Sequence, residues 1–231
     1  MENDNTLFKL RKFEFEFLIN ELGQNDLDSV LEIGPGNFPI SKFKKISKYL
    51  GIEKNNQNQK SNIYKIDNLE KDAIADVETV VALNSIYFIE DIAKFYSELS
   101  NLKPQYFVYI LPTSSWRIWT TLVAYIAFFI KKKNTEKKQI SNYKNSFLDK
   151  IFLKRHGIRG NRFNEFFYYR KNYWKYIFTN LHKEYEISSK NIKIFYTGFN
   201  LLGDKVTISF RNKISNLLGC SSRLYILSKK D

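Results

Sequence analysis

The sequence is poor in the residues that build metal centres and disulfide frameworks. It has one cysteine, Cys220, and two histidines, His156 and His182, among 231 residues. A single cysteine excludes an intramolecular disulfide and any site of several thiolates, and two histidines leave little for a histidine-based metal centre. We therefore expect no metal ligands here, and we expect the chemistry to rest on carboxylates, hydroxyls, backbone amides or a bound cofactor.

Acidic residues are also scarce relative to basic ones. The chain has 24 Asp and Glu against 37 Lys and Arg, which gives a net charge of +13. Such an excess favours an anionic partner, which could be nucleic acid, a membrane surface or a phosphorylated substrate. The alternative is that scattered lysines only solvate the surface. With 43% hydrophobic and 16% aromatic residues, the chain is expected to fold into a globular domain.

Long apolar runs are missing as well. The N-terminal stretch begins with acids and has no apolar core, so we expect no signal peptide and a cytoplasmic protein. The most apolar segment, residues 116–133, is shorter than the roughly 20 residues of a spanning helix. Its tryptophans at one end and lysines at the other are typical of a helix lying at the inner face of a membrane. A helix that covers the active site is the alternative.

Short apolar strands alternate with helices along most of the chain. This alternation predicts an α/β fold with a mostly parallel, doubly wound sheet and helices on both faces. The pattern predicts seven strands, near residues 29–34, 49–54, 62–67, 79–84, 105–112, 191–197 and 222–228. Helices are predicted at 6–23, 41–49, 89–102, 172–185 and 205–218. We interpret 1–231 as a single domain that carries an insertion at 113–165, which combines an apolar helix with a basic loop.

The segment LEIGPGNFP, residues 31–39, is the strongest local signal. Gly34 and Gly36 follow a strand and allow the backbone to turn tightly and to approach a ligand without side-chain clashes. Glu32 places a carboxylate beside this turn. Dinucleotide-binding motifs have glycine or alanine where this sequence has Pro39, which disfavours NAD without excluding it.

Glu53 ends the second predicted strand. A carboxylate in that position can accept hydrogen bonds from both ribose hydroxyls of a nucleoside. The alternative is an ordinary solvated glutamate at a strand end. The glycine turn upstream favours the ribose-binding role.

These motifs together resemble class I S-adenosylmethionine-dependent methyltransferases, which have a Rossmann-like fold. The resemblance covers residues 28–112 and includes Asp67 and the segment VVALNSIYFIED, residues 80–91. It implies S-adenosylmethionine as the cofactor, with the glycine turn under its methionine part and Glu53 on its ribose. The other positions that it implies for the cofactor are Glu32 at the turn, Asp67 with Asn68 beside the adenine, and Asn84 with Ser85 at the methyl-donor cleft.

The sequence departs from this family in two places. Phe38 occupies the position of a common third glycine, although variants ending in Asn-x-Pro are familiar. Relatives that carry an acid and a histidine after the fourth strand have them where this chain has Tyr87 and Phe88. A catalytic histidine at that site is therefore absent, and no base is assigned there.

A second polar cluster, RHGIRGNRFNEFFYYR, spans residues 155–170. It resembles a segment of methyltransferases from bacterial surface-polysaccharide gene clusters. Histidine can titrate near neutrality, so His156 is a candidate base for the acceptor. The candidate acceptor-binding residues are Arg159, Asn161 and Arg162. The alternative is a basic loop that caps the following helix.

The sequence thus predicts an enzyme that transfers a methyl group to a sugar or glycan-type acceptor, either small or lipid-linked, in cell-surface polysaccharide synthesis. An RNA methyltransferase is the first alternative, which the basic charge allows, although no Asn-Pro-Pro-Tyr-like motif follows the fourth strand. A non-catalytic binding protein that keeps the fold is the second.

Overall fold

The chain has an α/β fold, as the sequence predicts: helices flank a sheet with both parallel and antiparallel strands. A computed structural model describes residues 6–23, 25–53, 63–65, 77–86, 95, 99, 102–134, 164–197 and 206–230. Within these residues one sheet has the strand order β3-β2-β1-β4-β5-β7-β6. Its strands are β1 (Ser29–Ile33), β2 (Lys48–Glu53), β3 (Ile63–Lys65), β4 (Thr79–Leu83), β5 (Tyr106–Pro112), β6 (Tyr185–Ile192) and β7 (Ser222–Lys229).

The α-helices whose bounds the structure describes precede β1 or follow β5. They are α1 (Thr6–Leu22), α2 (Ser114–Asn134), α3 (Asn164–Tyr168), α4 (Lys171–Leu181) and α5 (Ile208–Leu218). Two short 3₁₀ helices, at Asn25–Leu27 and Ile40–Lys42, flank β1 in the chain. Of the predicted helix at 89–102, the residues Phe95 and Leu99 are described, and both are helical and buried.

The direction of the strands gathers the ends of several strands along one edge. β3, β2, β1, β4 and β5 run parallel, whereas β7 runs antiparallel to both of its neighbours, β5 and β6. Pro112, the last residue of β5, pairs with Ser222, the first residue of β7. We call this the carboxyl edge of the sheet, where β1, β2, β4 and β5 end and β7 begins. Parallel sheets bind ligands at such an edge.

The sheet is buried on both faces by two hydrophobic clusters. Successive residues of a strand point to opposite faces, so Phe107 and Tyr109 of β5 join one cluster while Val108 joins the other. The first cluster includes Trp174 and Phe178 of α4. The second includes Leu10, Phe15 and Leu18 of α1. Helix α1 is thereby fixed against the sheet beside the carboxyl edge.

The predicted helix at 41–49 is wrong. After Pro39 the chain makes only the 3₁₀ helix Ile40–Lys42, and β2 begins at Lys48. The Lys48 amide donates to the Asp28 carbonyl, at 2.9 Å, which draws this segment into the sheet. The Phe43 ring meanwhile packs on Phe8 of α1, with the ring centroids 5.0 Å apart. Because Phe43 packs against α1 and β2 begins at Lys48, too few residues remain between these two points to form a regular helix.

The strand predicted near 191–197 is also misplaced, since β6 spans Tyr185–Ile192. The sequence favoured the later range because it contains Ile194 and Phe195, both of which are buried. Ile194 lies in the second hydrophobic cluster, and Phe195 contacts helices rather than a neighbouring strand. The Phe195 amide donates to the Arg211 carbonyl of α5, at 3.2 Å, and its ring meets Trp119 of α2 edge-on, at 6.0 Å.

Helix α2 covers the apolar segment that the sequence predicts to be helical at 116–133. Its first half packs on the domain: Trp116 and Arg117 are buried, and the Trp119 indole donates to the Leu218 carbonyl of α5, at 2.9 Å. Among the helices that the structure describes, none has the length and apolar character needed to cross a membrane.

Candidate functional site

The glycine turn lies at the carboxyl edge, directly after β1. Gly34 and Gly36 have φ angles of +68° and +56°, a region that L-residues other than glycine rarely adopt. The Gly34 amide donates to the Ile52 carbonyl of β2, at 2.7 Å. Because Glu53 follows Ile52, the turn and the predicted ribose-binding residue are adjacent in the structure.

The two glycines meet different surroundings. A Cβ atom on Gly34 would lie 2.5 Å from the Cβ of Ser85, so only glycine allows the β1 and β4 ends to approach so closely. The Ser85 hydroxyl donates to the Ile33 carbonyl and closes this contact. A Cβ on Gly36 would find no atom within 4 Å among the described residues. The turn therefore carries no side chain at either glycine, and beside Gly36 there is room among the described residues for a group larger than a hydrogen atom.

The buried Glu32 side chain accepts hydrogen bonds that link the glycine turn to β2. Its carboxylate is buried, with 1% of the residue exposed. It accepts the Ile40 amide at 2.9 Å, at the end of the turn, and the Tyr49 hydroxyl at 2.7 Å, from β2. Charged acceptors form the stronger hydrogen bonds in proteins. Glu32 thus fixes the shape of the turn and its position against β2.

Asn84 and Ser85 follow β4 and face the glycine turn from the other side. Asn84 has a φ angle of +55°, which asparagine tolerates better than most residues. The backbone amide of Asn84 donates to the Ile110 carbonyl of β5, at 2.7 Å, and this bond holds the backbone in its conformation. The structure thus brings together four predicted residues, namely Gly34, Gly36, Asn84 and Ser85, at one end of the sheet.

A buried acid on α1 supports this arrangement and was missed in the sequence. Glu14 is 1% exposed, and one of its carboxylate oxygens accepts the hydroxyls of Tyr196, at 3.0 Å, and Ser222. The other lies 3.2 Å from the Arg11 guanidinium and 3.5 Å from the Asn84 side-chain amide. Burial and the charge of Glu14 raise the pKa of Tyr196 well above its ordinary value, so this phenol stays protonated and donates.

His182 is not a candidate base. It follows α4, is 4% exposed, and lies among the rings of Phe107, Phe178 and Tyr185. Burial lowers the pKa of His182 to about 4, so the side chain is neutral at physiological pH. A histidine enclosed by aromatic rings packs the core and is not presented to a ligand.

Several predicted residues lie outside the part of the chain that the structure describes. Glu53 is described by its backbone alone. The predicted residues beyond the described ranges are Asp67, Asn68, His156, Arg159, Asn161 and Arg162. Their roles remain predictions from the sequence.

Solved structures of methyltransferases share the fold. Neither a protein-family model nor a curated protein sequence matches the chain. The methyltransferase domain of bacterial CtHen1-C superposes with a TM-score of 0.58 at 9% identity, over 96% of this chain and 100% of that one. A chain from a complex of the Haloferax volcanii Trm112 methyltransferase activator gives 0.51 at 10% identity, over 95% and 89% of the two chains. The small RNA methyltransferase HEN1 gives 0.50 at 11% identity, over 96% of this chain and 25% of that one. The chain thus has a methyltransferase fold.

Proposed function

We propose that this protein is an S-adenosylmethionine-dependent methyltransferase that binds its cofactor at the carboxyl edge. The observation that carries the proposal is the turn at Gly34 and Gly36, which has no side chain at either glycine and in which a Cβ added to Gly36 would meet no described atom within 4 Å. The Gly34 amide donates to the carbonyl of Ile52, the residue before Glu53, so the turn lies beside the end of β2. The Glu53 carboxylate would hold the ribose, and Asp67 with Asn68 would flank the adenine. Asn84 and Ser85 would line the methyl-donor cleft, and Glu32 would hold the turn in shape.

The chain's own residues would mainly position the two reactants. When bound, the cofactor would supply an electrophilic methyl group and a neutral sulfide leaving group for attack by a lone pair of the acceptor. Holding two reactants in the right orientation can lower the activation barrier of a reaction by about 7–11 kcal/mol. A hydroxyl acceptor must also lose its proton, and His156 is the residue that we propose as the base.

Binding of S-adenosylhomocysteine, the product form of the cofactor, tests the proposal by calorimetry. Replacing Glu53 with alanine removes charge-assisted hydrogen bonds to the ribose, and we expect roughly 10–100-fold weaker binding. The matched control is Glu186→Ala, an exposed acid on β6 at the far edge of the sheet, which should leave the affinity unchanged. A folded wild-type protein that fails to bind would leave the non-catalytic alternative.

For the acceptor, we propose a sugar or glycan-type molecule, phosphorylated or lipid-linked, of bacterial cell-surface polysaccharide synthesis. Arg159, Asn161 and Arg162 are the proposed contacts. The net charge of +13 supports an anionic acceptor. It supports RNA as the second candidate equally, and HEN1, one of the proteins with this fold, is a small RNA methyltransferase. Transfer of a tritiated methyl to cell-envelope extract rather than to total RNA, and its loss in Glu53→Ala, is the expected result; labelled RNA alone would favour the second candidate.

We also propose that α2 contacts the inner face of the membrane in a cytoplasmic protein. Ile118, Leu122 and Ile126 lie four residues apart on one face of the helix and are 46%, 45% and 50% exposed. The lysines at 131–133 follow them. Apolar faces next to cations bind anionic lipid surfaces. The wild type should float with anionic liposomes. The I118S/L122S/I126S variant should not, whereas L217S, a change at an exposed leucine of α5, should float normally. Equal flotation of the two variants would contradict the proposal.

A further inference from the structure

A cavity of about 340 Å³ opens at the carboxyl edge, beyond the end of β5. It lies between the first residues of α2, Ser114 and Ser115, and those of α4. Residues at the start of β7 also line it. None of the predicted cofactor residues lines it. The cavity is therefore separate from the glycine turn.

The charged side chains that line this cavity are all cationic. Arg170, Lys171 and Arg223 contribute to its wall, and the described lining includes no aspartate or glutamate. The Arg223 guanidinium is oriented by a hydrogen bond from its Nε to the side-chain oxygen of Asn191, at 2.7 Å. The Arg170 guanidinium lies over the Phe167 ring, 4.5 Å from the centroid. Two of the three cations are thus held in place, and no lining acid described by the structure offsets their charge.

Polar groups that donate hydrogen bonds complete the lining. Ser114, Ser115 and Asn172 also line the cavity. Helix α4 begins beside it, and its N-cap residue, Arg170, makes no side-chain hydrogen bond to the first turn. The first amides of a helix lack partners within the helix and favour anions, which adds to the effect of the three cations.

The cavity lies close to the proposed methyl-donor cleft. Leu83, the last residue of β4, pairs with Ile110 of β5. Thr113, which lines the cavity, follows Ile110 along the same strand direction. At a rise of roughly 3.3 Å per residue, the cavity begins about 10 Å from the β4 end that carries Asn84 and Ser85. That separation matches a sugar ring placed between a phosphate and a methylated hydroxyl.

From this arrangement we propose that the cavity binds a phosphate or diphosphate group of the methyl acceptor. A role for this cavity in binding the methyl acceptor rests on the proposed methyltransferase function, whereas its binding of an anion does not. Guanidinium groups bind phosphate oxygens in pairs, and a cluster of cations without acids selects an anion of high charge. A cavity of about 340 Å³ beside the cleft suits the terminal or bridging phosphate of a small or lipid-linked sugar better than the extended backbone of RNA.

Calorimetric titration with inorganic pyrophosphate at physiological salt tests the site. The R170Q/K171Q/R223Q variant should bind pyrophosphate about tenfold more weakly than the wild type, because charge-assisted hydrogen bonds are lost. The control K103Q/K183Q/K213Q removes the same charge from exposed lysines outside the cavity lining and should bind within about twofold of the wild type, since distant exposed charges are screened. Unchanged S-adenosylhomocysteine affinity in both variants shows that both are folded.

Two outcomes would overturn the assignment. Equal pyrophosphate affinities in the two triple variants would mean that the net charge, and not the cavity, attracts the anion. A loss of affinity for single-stranded RNA in the cavity variant, without a change in pyrophosphate binding, would assign the surface to nucleic acid instead. If pyrophosphate behaves as expected but S-adenosylhomocysteine does not bind the wild type, the anion site stands and the proposed methyltransferase function fails.

Discussion

Replacing Gly34 with alanine is expected to lower the free energy of unfolding by about 3 kcal/mol and to weaken S-adenosylhomocysteine binding more than tenfold. The new Cβ would lie 2.5 Å from the Cβ of Ser85, and the residue would have to keep a φ angle of +68°. Either the residue is strained or the ends of β1 and β4 separate. Urea unfolding and calorimetry measure the two effects.

Two further variants separate the close contact from the backbone strain. Gly36→Ala imposes a similar strain, at a φ angle of +56°, but its Cβ meets no described atom within 4 Å. It should cost only about 1–2 kcal/mol. In G34A/S85G the close side chain is removed, and the nearest described atom to the new Cβ would be the Cα of residue 85, at 3.9 Å. This double variant should recover part of the stability; recovery of none would show that the contact with Ser85 is not the cause.

The sequence predicts well those strands that are buried on both faces. Every residue of β4 is buried, as are the last six of β5, and their continuous apolar runs are visible in the sequence. β6 gives no such signal, because it pairs only with β7 and six of its eight residues, from Glu186 to Asn191, are partly or fully exposed. Of the apolar residues just after it, Ile194 joins the second hydrophobic cluster and Phe195 contacts α2 and α5. An apolar run indicates burial, but it does not distinguish a strand from an irregular segment.

The candidate site was predictable where it depends on the backbone and not where it depends on distant side chains. Gly34 and Gly36 indicate a turn with positive φ angles because glycine is the residue that adopts such angles readily. Glu14 gives a weaker signal: it lies four residues after Leu10 and four before Leu18, on the face of α1 that packs on the sheet. An acid on a buried helix face needs partners. Those partners, Tyr196 and Ser222, are 182 and 208 residues away in the sequence, so only the fold could identify them.

Replacing Glu14 with alanine is expected to lower the free energy of unfolding by about 3–5 kcal/mol, the usual cost of removing one partner from a buried charged cluster. The Arg11 guanidinium would lose its carboxylate and keep only its hydrogen bond to the Leu83 carbonyl, at 3.1 Å. The hydroxyls of Tyr196 and Ser222 would lose the acceptor that joins them to α1. Glu16→Ala is the matched control on the same helix: Glu16 is 57% exposed, and its ion pair with Lys12 contributes at most about 1 kcal/mol.

A milder change at the same position, Glu14→Gln, tests whether α1 positions the proposed cofactor residues. The Glu14 carboxylate accepts a hydrogen bond from the Asn84 side chain, and the Arg11 guanidinium donates one to the Leu83 carbonyl. Helix α1 thus contacts the end of β4, which leads into the proposed cleft. Glu14→Gln keeps the size of the side chain and one oxygen for Tyr196 and Ser222, but it turns an amide toward Arg11. If the cluster positions Asn84, this milder variant should stay folded at 25 °C and bind S-adenosylhomocysteine several-fold more weakly. If its affinity equals that of the wild type while its stability falls, Glu14 holds α1 on the sheet and has no part in shaping the site.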